Sequence, residues 1–245
     1  MDATEAATFS CQSISLPLPQ EDQARADMYA LMANLLLRAP DAELLSVIAE
    51  ASPLEAAQPE NALAQTWNAL ISAARIASPQ QVRDEFDALF IATGTPRLNP
   101  YASFYLAGFL MEKPLAALRD DLAVLGLRRR QGAGELEDHL GALCEAMCLL
   151  ISGGPGVPRR TTREQRTFFT RHIAPWYARC LDDIRHADEM PNDVHFYRHI
   201  ADFAEAFLQL EVEAFGMGDE ASEEAAGTDM HRQLPDSAAD RQQHG

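Results

Sequence analysis

A chain of 245 residues, 47% hydrophobic and 23% charged, holds enough apolar material for one large core or two small ones. Its net charge of −17, from 20 basic and 37 acidic residues, excludes a binder of phosphate backbones, which needs a dense cationic surface. No apolar run approaches the ~18–20 residues of a membrane-spanning helix. The start, MDATEAATFS, has acids and no base, so it reads as no secretory signal and the protein as cytoplasmic.

The charge is uneven. Residues 1–22 hold four acids and no base, and residues 219–245 hold seven acids against Arg232 and Arg241, leaving −8 on 23–218. Both ends lack apolar periodicity. The expected organisation is a disordered acidic segment over 1–22, one helical domain over 23–216 and a disordered acidic tail over 217–245.

In chain order, Met28, Leu31, Met32, Leu35 and Leu36 form the first amphipathic stripe. A short helix over 41–51 follows, then a stripe of Leu63, Trp67, Leu70, Ile71 and Ala74. Val82, Phe86, Leu89 and Phe90 form the next, behind Ser78-Pro79, an N-cap with proline at the first helical position. Short helices are expected over 102–111 and 114–125. Leu136, Leu140, Leu143, Met147, Leu150 and Ile151 predict a helix that stops at Gly153-Gly154. Another spans 162–187, broken at Pro175. Phe196, Ile200, Phe203, Phe207 and Leu210 form the last, before Gly216. Strand signals are nearly absent, so the fold class is all-α: one globular bundle of about nine or ten helices.

Chemistry is scarce. The chain has no Walker loop, GxGxxG, HExxH or GxSxG. Its four cysteines include no CxxC pair, and Cys144 and Cys148 share an apolar helix face, as core residues do. His195 and His199 are four apart without a third ligand and read as polar flank residues. No metal or other cofactor is expected.

Two constellations stand out. Asn99-Pro100-Tyr101-Ala102-Ser103-Phe104-Tyr105 places two phenols and a hydroxyl at a loop-to-helix junction. This composition suits a peptide groove, and equally a helix cap with two core rings. Glu135-Leu136-Glu137-Asp138-His139-Leu140 places three carboxylates in what reads as a first helical turn, where the helix dipole favours them. On such a helix, 100° steps put His139 about 60° from the stripe of Leu136, Leu140 and Leu143. Asp138 then points further towards solvent, and the pair forms an acidic groove rim. A catalytic dyad has the same ingredients but lacks a nucleophile or metal set here.

In this order and separation, the two constellations resemble the TorD/DmsD/NarJ family of molybdoenzyme maturation chaperones. The resemblance runs through Phe86-x-x-Leu89-Phe90, Pro100-Tyr101-x-Ser103-x-Tyr105-Leu106, Glu135-x-x-Asp138-His139-Leu140, Phe169-x-x-His172-Ile173-x-Pro175-Trp176 and Phe196-Tyr197. The Tyr-x-Ser-x-Tyr and Asp-His elements are closest to the TorD/DmsD branch. Glu137 stands where the family often has proline.

The resemblance implies a TorD-like all-helical fold and a non-enzymatic role. Its partners are the apo form of a DMSO-reductase-family molybdoenzyme and that enzyme's twin-arginine signal peptide, held until molybdopterin is inserted. By motif, the peptide-binding residues are Phe86, Leu89, Phe90, Pro100, Tyr101, Ser103, Tyr105, Glu135, Asp138 and His139. Carboxylates beside an apolar trough suit two guanidinium groups followed by an apolar segment. His139 would orient a carboxylate or donate to peptide carbonyls. The chain is expected as a monomer or a helix-exchanged dimer. The competing readings are a small hydrolase or nucleotide-dependent enzyme using Asp138 and His139, and an all-α adaptor.

Overall fold

The computed structural model describes residues 17–55, 61–91, 96–129, 134–187 and 195–231, with side chains described as far as Gly216. The remainder of the two expected acidic segments, 1–16 and 232–245, lies outside the described residues. Among the described residues there are ten α-helices, one π-helical turn and no β-strand.

The first helix, α1 (Gln20–Leu37), starts inside the segment assigned to the N-terminal arm. It buries Tyr29, Met32, Leu35 and Leu36, so its apolar face is wider than the expected stripe. α2 (Ala42–Glu50) and α3 (Ala62–Ile76) form a hairpin. Asp41 and Asn61 cap them by accepting from Leu44 N and Ala64 N. α4 (Pro79–Phe86) begins with proline at its first turn as expected and passes into the π turn Asp87–Ile91.

α5 (Ala102–Ala107) is shorter than the expected helix because Gly108 adopts φ 84°, a left-handed stop that favours glycine. α6 (Lys113–Val124) follows. α7 (Leu140–Ser152) ends at Gly153 as expected, but it starts five residues later than Glu135. α8 (Thr162–His172) opens with a capping box, Thr161 and Glu164 each bonding the other's backbone. α9 (Tyr177–Arg185) follows the Pro175 break.

α10 (Phe196–His231) runs past Gly216 rather than ending before it. An interior glycine costs about 1 kcal/mol, and the Glu, Met and Ala around it favour the helix.

α1 lies along α7 and α10 packs on α3 and α9, giving one continuous core. Gly141 permits the α1–α7 approach, since a Cβ there would meet Leu37 Cγ at 2.7 Å. Trp176, Tyr29 and Tyr197 are its largest fully buried side chains. Cys144 and Cys180 are buried free thiols and Cys148 is half-buried, in line with core use. Burial raises the thiol pKa of all three. No helix among the described residues is long and apolar enough to cross a membrane.

Glu85 ties α10 to α4. It falls on the buried stripe of Val82, Phe86 and Leu89 and is fully buried. Its Oε2 accepts from Phe196 N at 3.0 Å and its Oε1 from Tyr197 N at 2.9 Å, capping the start of α10. Burial raises its carboxyl to about 7, while the two amides pull the other way. Tyr197 then donates its hydroxyl to Leu35 O of α1 at 3.0 Å.

Candidate functional site

The two sequence constellations meet as a clasp. Residues 134–139 are non-helical and lie beside Asn99–Ala102, where Tyr101 and His139 form an isolated antiparallel bridge. Leu140 N donates to Pro100 O at 2.8 Å and Ala102 N to Asp138 O at 2.9 Å. These main-chain bonds exist because both segments precede helices and leave amides without intrahelical partners.

This geometry corrects the expected acidic rim. The 100° projection presumed a helix from Glu135, and with α7 starting at Leu140 it does not apply. Asp138 is 0% exposed and His139 4%. Asp138 Oδ2 accepts from Ser103 N at 2.9 Å, capping α5 from across the fold. Its Oδ1 and the buried Ser103 hydroxyl have no protein partner.

His139 is the N-cap of α7, and its Nδ1 accepts from Gly141 N at 3.0 Å. That bond requires an unprotonated Nδ1, and burial depresses the imidazole to about 4. No hydrogen bond among the described residues joins the Asp138 and His139 side chains, so they do not form a relay dyad. His139 is occupied as a cap and does not orient a carboxylate.

The other acids are also engaged. Glu135 accepts from the Tyr101 hydroxyl, and the Tyr101 ring meets His139 edge-on at 5.0 Å. Burial and the Glu135 contact raise the Tyr101 phenol pKa. Glu137 accepts two bonds from Arg119 of α6, at 3.0 and 2.9 Å, and this pairing holds its carboxyl below the usual range.

The remaining motif residues belong to two separate clusters. Phe86, which is buried, and half-buried Phe90 pack with Tyr197 at ring separations of 5.1 to 5.7 Å, while Leu89 is 0% exposed. Tyr105 stacks on Trp176 at 5.4 Å and donates to Asp183 Oδ2 at 2.7 Å. Phe86, Leu89, Phe90 and Tyr105 therefore belong to the core between helices and do not line one trough with the acids.

What opens beside the clasp is a cleft of about 450 Å³ between the ends of α1 and α6, residues 127–129 and 134–137, and α7. Leu37, Leu122, Leu127, Leu136, Leu143 and Leu149 form its apolar wall. Glu135, Glu137 and Glu145 supply carboxylates, and Arg128 and Arg129 stand on the loop side. Only Glu135 of the expected peptide-binding residues lines it. Glu145 escaped the sequence reading, although Ala142, Glu145, Ala146 and Leu149 share the i, i+3, i+4, i+7 face of α7. Arg119 carried no signal, since its partner lies 18 residues away. Among the described residues no group of three or more His, Cys, Asp or Glu could hold a metal ion.

A search of curated proteins returns no match. A crystal structure described as a candidate redox enzyme maturation protein from Archaeoglobus fulgidus shows a remote likeness, with a TM-score of 0.48 and 15% identity over 81% of this chain and 98% of that one. The family model described as "Nitrate reductase delta subunit" matches residues 56–182, just over half of the chain and including both halves of the clasp. The chain therefore belongs to the nitrate reductase delta subunit family, the NarJ/TorD-like chaperones of molybdoenzyme maturation.

Proposed function

We propose that this chaperone binds the twin-arginine signal peptide of an apo-molybdoenzyme of the DMSO-reductase family in the cytoplasm. It would hold the enzyme for cofactor insertion by binding rather than by turnover. The observation that carries this reading is the cleft, where carboxylates sit beside a continuous leucine wall. A guanidinium pairs with a carboxylate through two parallel bonds, and the apolar stretch that follows has leucines to cover it. Arg128 and Arg129 reduce the charge the cleft projects, so Glu135 and Glu145 act at contact more than at range. The clasp supports the same wall: Asp138 and His139 set the starts of α5 and α7, and Tyr101 holds Glu135 at the cleft edge.

Calorimetry with a twin-arginine signal peptide tests the reading. Glu135→Gln and Glu145→Gln together should weaken binding about tenfold with an unchanged helical CD spectrum. Unaltered affinity removes the cleft as the site, and a wild-type protein that binds no such peptide removes the reading.

A further inference from the structure

The cleft carries its own counter-charge. Glu135, Glu137 and Glu145 line it, and so do Arg128 and Arg129. Arg119 of α6 adds a third cation, donating to Glu137 at 3.0 and 2.9 Å. Among the described residues, three carboxylates therefore stand against three guanidinium groups. A bound segment bearing two further arginines would leave two positive charges in excess unless two of the chain's own withdraw. Uncompensated like charge in a partly enclosed site opposes binding.

The three arginines are not held alike. Arg119 stands on a helix and forms a two-bond pair with Glu137. Arg128 and Arg129 follow α6 in non-helical backbone, and both are exposed. The residues before them fix where they stand. Gly126 takes a left-handed φ of 72°, Leu127 N donates to Leu122 O at 2.8 Å, and Arg160 Nη2 donates to Leu125 O at 2.8 Å. Leu127 is buried and belongs both to the core and to the cleft wall. The backbone is thus pinned up to Leu127, and turning the next two side chains breaks none of these main-chain bonds. Arg129 also acts on the acidic segment through its charge. Arg119 holds the Glu137 carboxyl below its usual range against the effect of burial, and Arg129 adds to that pull. Arg129 likewise opposes the rise that burial and Glu135 impose on the Tyr101 phenol.

We propose that Arg128 and Arg129 are an internal stand-in for a ligand's arginine pair, and that a twin-arginine segment enters the cleft by displacing them. This rests on the cleft reading above. Leu127-Arg128-Arg129 brings the cleft what such a ligand brings, an apolar side chain for the wall and two guanidinium groups for the acids. A tethered competitor acts at an effective concentration on the order of millimolar. The fraction of molecules it occupies lowers the apparent affinity of every cationic segment by the same factor. Segments held by charge alone then fall below useful binding, and those that also cover the leucine wall do not.

Calorimetry with a synthetic peptide of two arginines before a leucine-rich segment tests the exchange. Arg128→Ser with Arg129→Ser should tighten binding about tenfold, with an unchanged helical CD spectrum. In the Glu135→Gln, Glu145→Gln background the same two substitutions should change affinity by about threefold or less. Arg83→Ser with Arg163→Ser removes the same charge from exposed positions that do not line the cleft. That control should also change affinity by about threefold or less, as screened distant charges do. If the Arg128, Arg129 variant binds like the wild type or more weakly, while the glutamine variant binds weakly, the exchange is overturned and the cleft reading stands. A gain of equal size from the Arg83, Arg163 variant overturns the exchange too, since net charge alone would then produce it. So does a tenfold gain that survives the glutamine substitutions. If Glu135→Gln with Glu145→Gln binds as the wild type does, the cleft reading falls and the exchange falls with it.

Discussion

Two buried carboxylates cap helices from a distance in this protein, and they do so with different degrees of completeness. Glu85 uses both oxygens on the first two amides of α10. Asp138 uses one oxygen on Ser103 N, and its second oxygen and the Ser103 hydroxyl have no protein partner. Glu85 sits in an aromatic cluster of Phe86, Phe90 and Tyr197, within the core. Asp138 sits behind the wall of an open cleft. The first joint is finished as structure. The second supports a surface, and its main-chain bonds between 99–102 and 138–140 hold more of it than the side chain does.

The sharpest break of this contrast is Glu85→Ala. It leaves two buried amides unpaired and should cost about 3 kcal/mol in urea unfolding at pH 6. Asp138→Asn keeps an oxygen for Ser103 N, so its cost should stay within about 1 kcal/mol. Equal losses for the two variants would erase the distinction.

pH separates the two regions next. The Glu85 carboxyl is raised to about 7 in the fold, so its contribution is present below the unfolded value of 4.5 and lost as pH rises through 7. The His139 imidazole is depressed to about 4, so its contribution is present above 6.5 and lost as pH falls through 4. Between about pH 4.5 and 6.5 the two slopes oppose each other. His139→Asn, which keeps a capping acceptor, should expose stability that falls with rising pH relative to wild type. Glu85→Gln should expose the reverse. Each slope should be about 1 kcal/mol per pH unit. Parallel profiles for wild type and both variants would show that neither group titrates as its burial dictates.

The smallest effect should come from Glu137→Gln, which breaks the exposed pair with Arg119. Its cost should be about 0.5 kcal/mol or less, falling further in salt. A larger loss would place Arg119 and Glu137 in the clasp rather than at the cleft edge.

Much of the fold was legible in the sequence because helices are local. The Leu63 to Ala74 stripe is α3, Pro79 opens α4, Pro175 separates α8 from α9, and Gly153 ends α7. The start of α7 was misread because Glu135 and Leu136 continue its apolar and acidic pattern. The pairing of 139 with Tyr101 overrode that local preference. Phe86, Leu89 and Phe90 were legible as an apolar face, but the face is covered by α10, which begins more than a hundred residues later. Glu85 left one trace, a charge on a buried stripe, and its partners left none.

Periodicity and turn chemistry alone determined an all-helical chain and its breaks at Pro79, Gly153 and Pro175, because those depend on residues within a few positions of each other. Tertiary structure decided which motif residues are buried and that Asp138 and His139 cap rather than contact. It also decided that an open cleft lies between Leu122 of α6 and Glu145 of α7. Exposure and pairing depend on which helices cross, and a crossing is set by the packing of the whole chain.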